Sequence, residues 1–297
     1  MVLMVHYNSK HNSKKLVEKI QAFIVERNLF IIKIMPVKFN IFRKEIPMYG
    51  LLCIIGIILS ITIAFLLTKK KKIDIFDFTL SIVITLIGAW IGAKLLFLII
   101  SWNTVVSFFE QLPIFTALEA IITGGYVFYG GLLGGAIALF ITLKIQKKNI
   151  FEYVSIYVTV LPLGHAFGRI GCFISGCCYG IEYNGIFSYT YTQAMDIDTP
   201  LNTPLLPIQL IESIILFVLF LILLIIYLKY EKNYLTIIIY CLSYPIIRFI
   251  LEFFRGDKER GIFLLSTSQW ISLILLFTTI TLIILTKQKA LHKSKLK

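Results

Sequence analysis

Seven stretches of mostly apolar residues, at about 47–68, 76–101, 126–145, 150–174, 208–228, 234–253 and 268–286, dominate this chain. Each is long enough to cross the hydrocarbon core of a bilayer as a helix, which takes roughly 20 residues. The expected fold is therefore all-α, a polytopic membrane protein with seven transmembrane helices. Composition agrees: 58% of the residues are hydrophobic and the mean hydropathy is +0.86, whereas a soluble domain is roughly 45–50% apolar.

Only 15% of the residues are charged, yet the net charge is +13, so the basic residues must gather where the bilayer is not. The links after spans one, three and five carry Lys69 to Lys72, then Lys144, Lys147 and Lys148, then Lys229 and Lys232, while the links at 102–125 and 175–207 hold no Lys or Arg. The positive-inside rule then puts the basic tail, 287–297, in the cytoplasm and starts the first span outside. Two features oppose this: Arg255, Lys258 and Arg260 in the link at 253–267, and many lysines in residues 1–46. Residues 1–46 contain a weakly amphipathic run at 20–36 and no cleavable signal-peptide pattern. They read as an interfacial helix, an unstructured extension, or residues upstream of a true start at Met35 or Met48. The domain organisation expected is this extension, one seven-span domain at 47–286, and the tail. The aromatics lie inside apolar runs rather than along a basic stripe, which argues against nucleic acid as a partner. Five cysteines without paired C-x-x-C spacing make neither a disulfide scaffold nor a zinc ribbon.

A charge in a spanning helix costs roughly 2.5–3.5 kcal/mol at mid-bilayer, so each one invites a functional reading. Arg169 sits near the outer end of span four, Arg248 and Glu252 near that of span six, and Lys94 about two turns from that of span two. Span five begins with Gln209 and Glu212, span one with Tyr49, span three with Tyr129, Gly130 and Gly131, and span seven with Ser268 and Gln269. The inner halves are almost purely Ile, Leu, Val and Phe, so the expectation is a polar cavity opening toward the outer leaflet. Singly, Lys94, Gln209 and Gln269 are equally well explained as snorkelling or interhelical bonding groups. Arg248, Glu252 and Arg255 are spaced to share one helix face, where Glu252 can pair with either arginine and an arginine fork can still meet a phosphate. Pro245 either bends span six below the cavity or is a tolerated kink.

The stretch Gly164 to Gly180, GHAFGRIGCFISGCCYG, holds five glycines and Arg169 between Gly168 and Gly171. Glycines allow close approach of a ligand to backbone. This segment resembles the glycine-arginine signature of prolipoprotein diacylglyceryl transferases. Further pieces resemble the family's motifs in order along 47–286: Tyr49-Gly50-Leu51, Gly92-Ala93-Lys94-Leu95, Tyr129-Gly130-Gly131-Leu132, Pro207 to Glu212, Arg248 to Arg255, and Ser268 to Ser272. The resemblance implies transfer of the diacylglyceryl group of phosphatidylglycerol to the lipobox cysteine of prolipoprotein signal peptides, at the outer face of the plasma membrane among its lipids. It implies no metal and no soluble cofactor.

On that resemblance Arg169 and Arg248 are phosphate ligands. Arg255 and Glu252 shape the cavity mouth or orient the arginines, and Gln209, Glu212 and Gln269 are supporting or headgroup contacts. The chain departs from the family where Tyr129 replaces a common His, Cys172 an Asn, the Cys177-Cys178 pair the usual Glu, and Lys94 a common Arg. The general base is accordingly either Tyr129 or His165. Three other functions compete: a paralogue using another lipid or thiol acceptor, a membrane thiol oxidoreductase built on Cys172, Cys177 and Cys178, and a transporter.

Overall fold

The computed structural model describes residues 38–41, 44–230, 234–257, 261–262 and 264–295. The amphipathic run at 20–36, Lys232, Lys258 and Arg260 lie outside the described residues. Nine helices are described: α1 Met48–Lys71, α2 Ile75–Ile100, α3 Trp102–Gln111, α4 Ile114–Thr123, α5 Phe128–Ile145, α6 Ile150–Ser175, α7 Ile208–Lys229, α8 Tyr234–Glu252 and α9 Thr267–Lys295. Six of them, α1, α2, α6, α7, α8 and α9 up to Thr286, are long and apolar enough to cross a membrane, and α5 is a shorter apolar helix. These are the seven stretches expected from hydropathy, with ends that agree to within a few residues. The basic tail continues α9 as helix to Lys295. Three two-stranded hairpins complete the described structure: β1 (Lys38–Ile41) with β2 (Lys44–Pro47), β3 (Tyr189–Thr190) with β4 (Pro204–Leu205), and β5 (Gly261–Ile262) with β6 (Leu265–Ser266).

The chain divides into two compact units, one of residues 63–157 and one of residues 1–62 with 158–297. In the first, Asp74 caps α2 by accepting from the Asp77 amide at 2.9 Å, as an Asx cap should. Phe78 is fully buried against the rings of Phe65, Tyr153 and Tyr157, and Ser81 Oγ meets Tyr157 OH at 2.8 Å. Helices α2 and α5 approach through matched glycines. A Cβ on Gly92 would stand 2.3 Å from the Gly130 carbonyl oxygen, and one on Gly134 equally close to that of Gly88. Both helices thus carry the small-xxx-small spacing that lets membrane helices pack on backbone. Gly130, a substrate-contact candidate from its motif, is buried in this helix contact.

The link at 102–125, free of Lys and Arg, folds as α3 and α4, broken where Leu112 takes the extended backbone that a following Pro113 favours. Its return to α5 is tied down by Lys94, whose Nζ donates to the carbonyls of Ile121, Gly124 and Gly125, the last at 3.2 Å, and lies 4.0 Å from the Tyr126 ring centroid. Charged hydrogen bonds are worth about 1.5–3 kcal/mol each. Lys94→Met should therefore lower the thermal transition and speed backbone hydrogen exchange around 121–127, with the rest of the unit unaffected; unchanged exchange there contradicts this anchoring role.

In the second unit, α8 and α9 are consecutive helices joined through the β5–β6 hairpin, and α8 runs through the buried Pro245 as one helix. The link at 175–207 is ordered by its own packing. Tyr179, Tyr191 and Leu205 are buried together with Phe173 and Tyr189 against them. Residues 179–181 bond to the turn after α8, Ile181 N to Phe254 O at 3.0 Å and Gly256 N to Tyr179 O at 2.9 Å.

Candidate functional site

Three sequence candidates of this unit, His165, Arg169 and Arg248, converge on one carboxylate. Glu212, in the first turns of α7, is 2% exposed. Its Oε2 lies 2.9 Å from Arg169 Nη2 on α6 and 3.5 Å from Arg248 Nη1 on α8, and its Oε1 lies 3.9 Å from His165 Nε2. Arg248 Nη2 also reaches Glu252 Oε2 at 2.6 Å and Ser268 Oγ at 3.2 Å. Arg255 forks onto Asp257, with Nε to Oδ1 at 3.0 Å and Nη2 to Oδ2 at 2.8 Å, and stands 4.0 Å from Glu252. The one-face spacing of Arg248, Glu252 and Arg255 thus yields a continuous chain of ion pairs. Ser268 comes from the motif that opens span seven, and Asp257 is a member that spacing along one helix does not reveal, its signal being an acidic residue two positions past Arg255.

Arg169, Glu212, Arg248 and Glu252 lie within about two turns of the ends of spanning helices, where a charge costs less than at mid-bilayer. A buried ion pair is usually no more stabilising than an apolar replacement. The three arginines are matched in number by Glu212, Glu252 and Asp257. Arg169 Nε is buried and has no hydrogen-bond acceptor among the described residues, and Arg248 Nη1 has only the 3.5 Å ion contact. These are donors that an incoming anion can use.

The remaining candidates surround this centre. Gln209 Nε2 donates to Cys177 O at 2.8 Å and to Tyr191 OH at 3.3 Å, and Tyr191 OH donates to Phe173 O at 3.0 Å. Burial pushes the Tyr191 phenol above its ordinary pKa, which keeps it a neutral donor. Ser213, not singled out from sequence, ties α7 to α6 through Ala166 O at 3.0 Å. Gln269 closes the start of α9: its Oε1 accepts from Ser266 N at 2.9 Å, and its own N–H donates to Ser266 Oγ at 3.1 Å. That reciprocal pair is a capping box. Gly171 admits the backbone of Tyr49, whose Cα would lie 3.3 Å from an added Cβ, whereas Gly168 has only Cys53 Sγ nearby, at 4.0 Å. His165 packs edge-on to Tyr244 with centroids 5.6 Å apart.

Cys172, Cys177 and Cys178 stand beside the arginines as free thiols. Hydrogen bonding to Cys172 and Cys177 lowers the Cys178 pKa, and the charges of Arg255 and Arg169 act the same way. Burial works against the Arg255 charge, but Cys178 and Asp257 outweigh it and hold its pKa above the usual value. Lys94, Tyr129, Gly130 and Gly131 belong to the other unit, where Tyr129 opens α5 and Lys94 holds the main-chain carbonyls described above.

A comparison with known families matches the model for prolipoprotein diacylglyceryl transferase to residues 36–285. The chain belongs to this family. Among curated proteins it is 34% identical over 254 residues to phosphatidylglycerol–prolipoprotein diacylglyceryl transferase 2 of Clostridium perfringens (strain 13 / Type A), covering 84% of this chain and 94% of that one. It is 31% identical over 238 residues to the phosphatidylglycerol–prolipoprotein diacylglyceryl transferase of Clostridium tetani (strain Massachusetts / E88), covering 80% and 92%. It is 29% identical over 270 residues to that of Dehalococcoides mccartyi (strain CBDB1), covering 89% and 99%. The transferase family match begins at residue 36, so it takes in the β1–β2 hairpin ahead of the first spanning helix. Multiple apolar helices together with the family make this a multi-pass membrane protein.

Proposed function

We propose that this protein transfers the diacylglyceryl group of phosphatidylglycerol to the lipobox cysteine of prolipoproteins, at the outer face of the plasma membrane, with its C-terminus in the cytoplasm. Family membership across 36–285 carries the reaction, and the paired arginines on a buried Glu212 supply chemistry that suits it. The orientation rests on the basic links after α1, α5 and α7 against the Lys- and Arg-free links at 102–125 and 175–207.

In the reaction the acceptor thiolate attacks the glyceryl methylene next to the phosphate, forming the C–S bond while the C–O bond breaks. The leaving group is glycerol phosphate, and the thiol proton goes to a base. Arg169 and Arg248 hold the phosphate through donors that Glu212 orients. Their charge counts most as the leaving oxygen gains negative charge, because a prearranged donor in a water-poor site needs no reorganisation at that moment. Glu252 and Arg255 set the position of Arg248, and Gln209 and Gln269 fix the helix starts that frame the cavity opening toward the outer leaflet. The other candidates of this unit, Tyr49 and Gly168, line the approach of the lipid and the peptide. His165 is the base: a neutral imidazole takes the thiol proton, and Glu212 stabilises the imidazolium that results.

The test follows both products. Purified protein given phosphatidylglycerol and a lipobox peptide should release glycerol phosphate in a one-to-one ratio with modified peptide; release without modification makes the protein a lipase-like hydrolase instead. His165→Asn should lower kcat by about 10²–10⁴-fold, the usual worth of a positioned base, at little changed KM for the lipid. A loss below tenfold overturns His165 as the base.

A further inference from the structure

Transfer chemistry at the arginines leaves this protein's five thiols without a role, and three of them cluster. The Sγ atoms of Cys172, Cys177 and Cys178 all lie within 4.8 Å of one another, and local backbone structure explains why they meet. Helix α6 ends in a Schellman cap: Gly176 takes φ +76°, its N–H reaches Phe173 O at 3.2 Å, and Cys177 N–H reaches Cys172 O at 3.1 Å. This cap sets the side chain of its last residue over the residue five positions earlier, which here puts Cys177 over Cys172. Cys178 follows with φ +57°, a left-handed conformation that only a few per cent of side-chain-bearing residues adopt. The turn is held from both sides, by Gln209 Nε2 on Cys177 O at 2.8 Å and by the bridge from Gly180 to Arg255. The trio is therefore fixed by the fold rather than gathered by chance on a mobile loop. Cys172 is buried and the other two are half-buried, so one side remains accessible.

We propose that Cys172, Cys177 and Cys178 form a binding site for a thiophilic divalent cation of the zinc class. Zinc–sulfur bonds of about 2.3 Å put three sulfurs on one ion roughly 3.8–4.0 Å apart, so side-chain adjustments of under about 1 Å convert this trio into a ligand set. Binding releases three protons, M²⁺ + 3 RSH → M(SR)₃⁻ + 3 H⁺, since the thiolate is the ligand. The resulting anion lies beside Arg255 and Arg169, both of which act electrostatically on Cys178. A fourth coordination position stays open to water from the accessible side.

The experiment uses the full chain in phosphatidylglycerol micelles, reduced and stripped with a chelator, and titrated with Cd²⁺ while thiolate-to-metal charge-transfer absorbance and proton release are followed. The expected result is saturation at one equivalent. Cys172→Ser, Cys177→Ser and Cys178→Ser should each weaken binding at least ~10-fold, whereas Cys53→Ser and Cys241→Ser bind as wild type. Thermal unfolding identifies any variant that is misfolded, and alanine then replaces serine at that position. The inference is overturned by the absence of a band at one equivalent, by equal binding in the triple variant, or by a disulfide among the three that persists under reductant. Because the readout is independent of transfer, a protein that binds Cd²⁺ here but modifies no peptide overturns the proposed function and leaves this inference standing.

Discussion

Arg169→Ala should reduce kcat/KM for diacylglyceryl transfer by at least ~10²-fold, the usual cost of losing one transition-state donor, with most of the loss in kcat. The loss follows from the position of Arg169: it is the cation nearest to Glu212, at 2.9 Å, and its Nε is a buried donor with no acceptor among the described residues. The substitution also leaves Glu212 with a weaker partner, and breaking one side of a buried pair costs about 3–5 kcal/mol. A second variant separates the two effects. Arg169→Ala with Glu212→Gln removes the orphaned charge, so its thermal transition should recover toward wild type while transfer stays well below that of Glu212→Gln alone. If activity recovers together with stability, Arg169 only supports the fold and the phosphate assignment is wrong. Arg169→Lys should recover less than a tenth of the activity, because an ammonium cannot span a phosphate and a carboxylate with a planar fork.

Gly92→Val should be the most damaging substitution away from the site. Its added Cβ would lie 2.3 Å from the Gly130 carbonyl oxygen and 2.8 Å from the Gly134 Cα, backbone atoms that cannot swing aside as a side chain can. Overpacking costs about 1–3 kcal/mol where neighbours can shift, and helix packing in lipid has no hydrophobic drive to offset it. The expected outcome is a fall of roughly 2–4 °C in the thermal transition per kcal/mol lost, with poor recovery from the membrane. Gly50→Val is the control, since a Cβ there meets nothing within 4 Å. Equal stability of the two variants contradicts the packing role of Gly92.

The spanning helices were legible because a run of apolar residues reports its solvent directly. Arg169, Arg248, Glu212 and Glu252 were legible as a group because each is costly in lipid, and the four now share a chain of ion pairs. Their ranking was not legible. Spacing along one helix says which residues share its face, so the pairing of Arg248 with Glu252 could be read; the register between helices cannot, so Glu212 looked peripheral although it is the carboxylate that Arg169 and Arg248 share. Lys94 carried the same ambiguity and turns out to hold three carbonyls of the α4–α5 return. The cysteine trio needed two positive φ values, at Gly176 and Cys178, of which only the glycine is suggested by sequence. Helices α3 and α4 hid in a link that charge counting treated as blank, although Pro113 marked the break between them.

The measurement that bears most directly on the account is the mass of a lipobox peptide after incubation with the purified protein and phosphatidylglycerol. The account predicts a gain of one diacylglyceryl group on the cysteine thiol, absent from Arg169→Ala and Arg248→Ala and from a peptide with serine in place of cysteine. An unmodified peptide under conditions in which the Clostridium perfringens relative modifies it contradicts the account, and would turn attention to another lipid donor or another thiol.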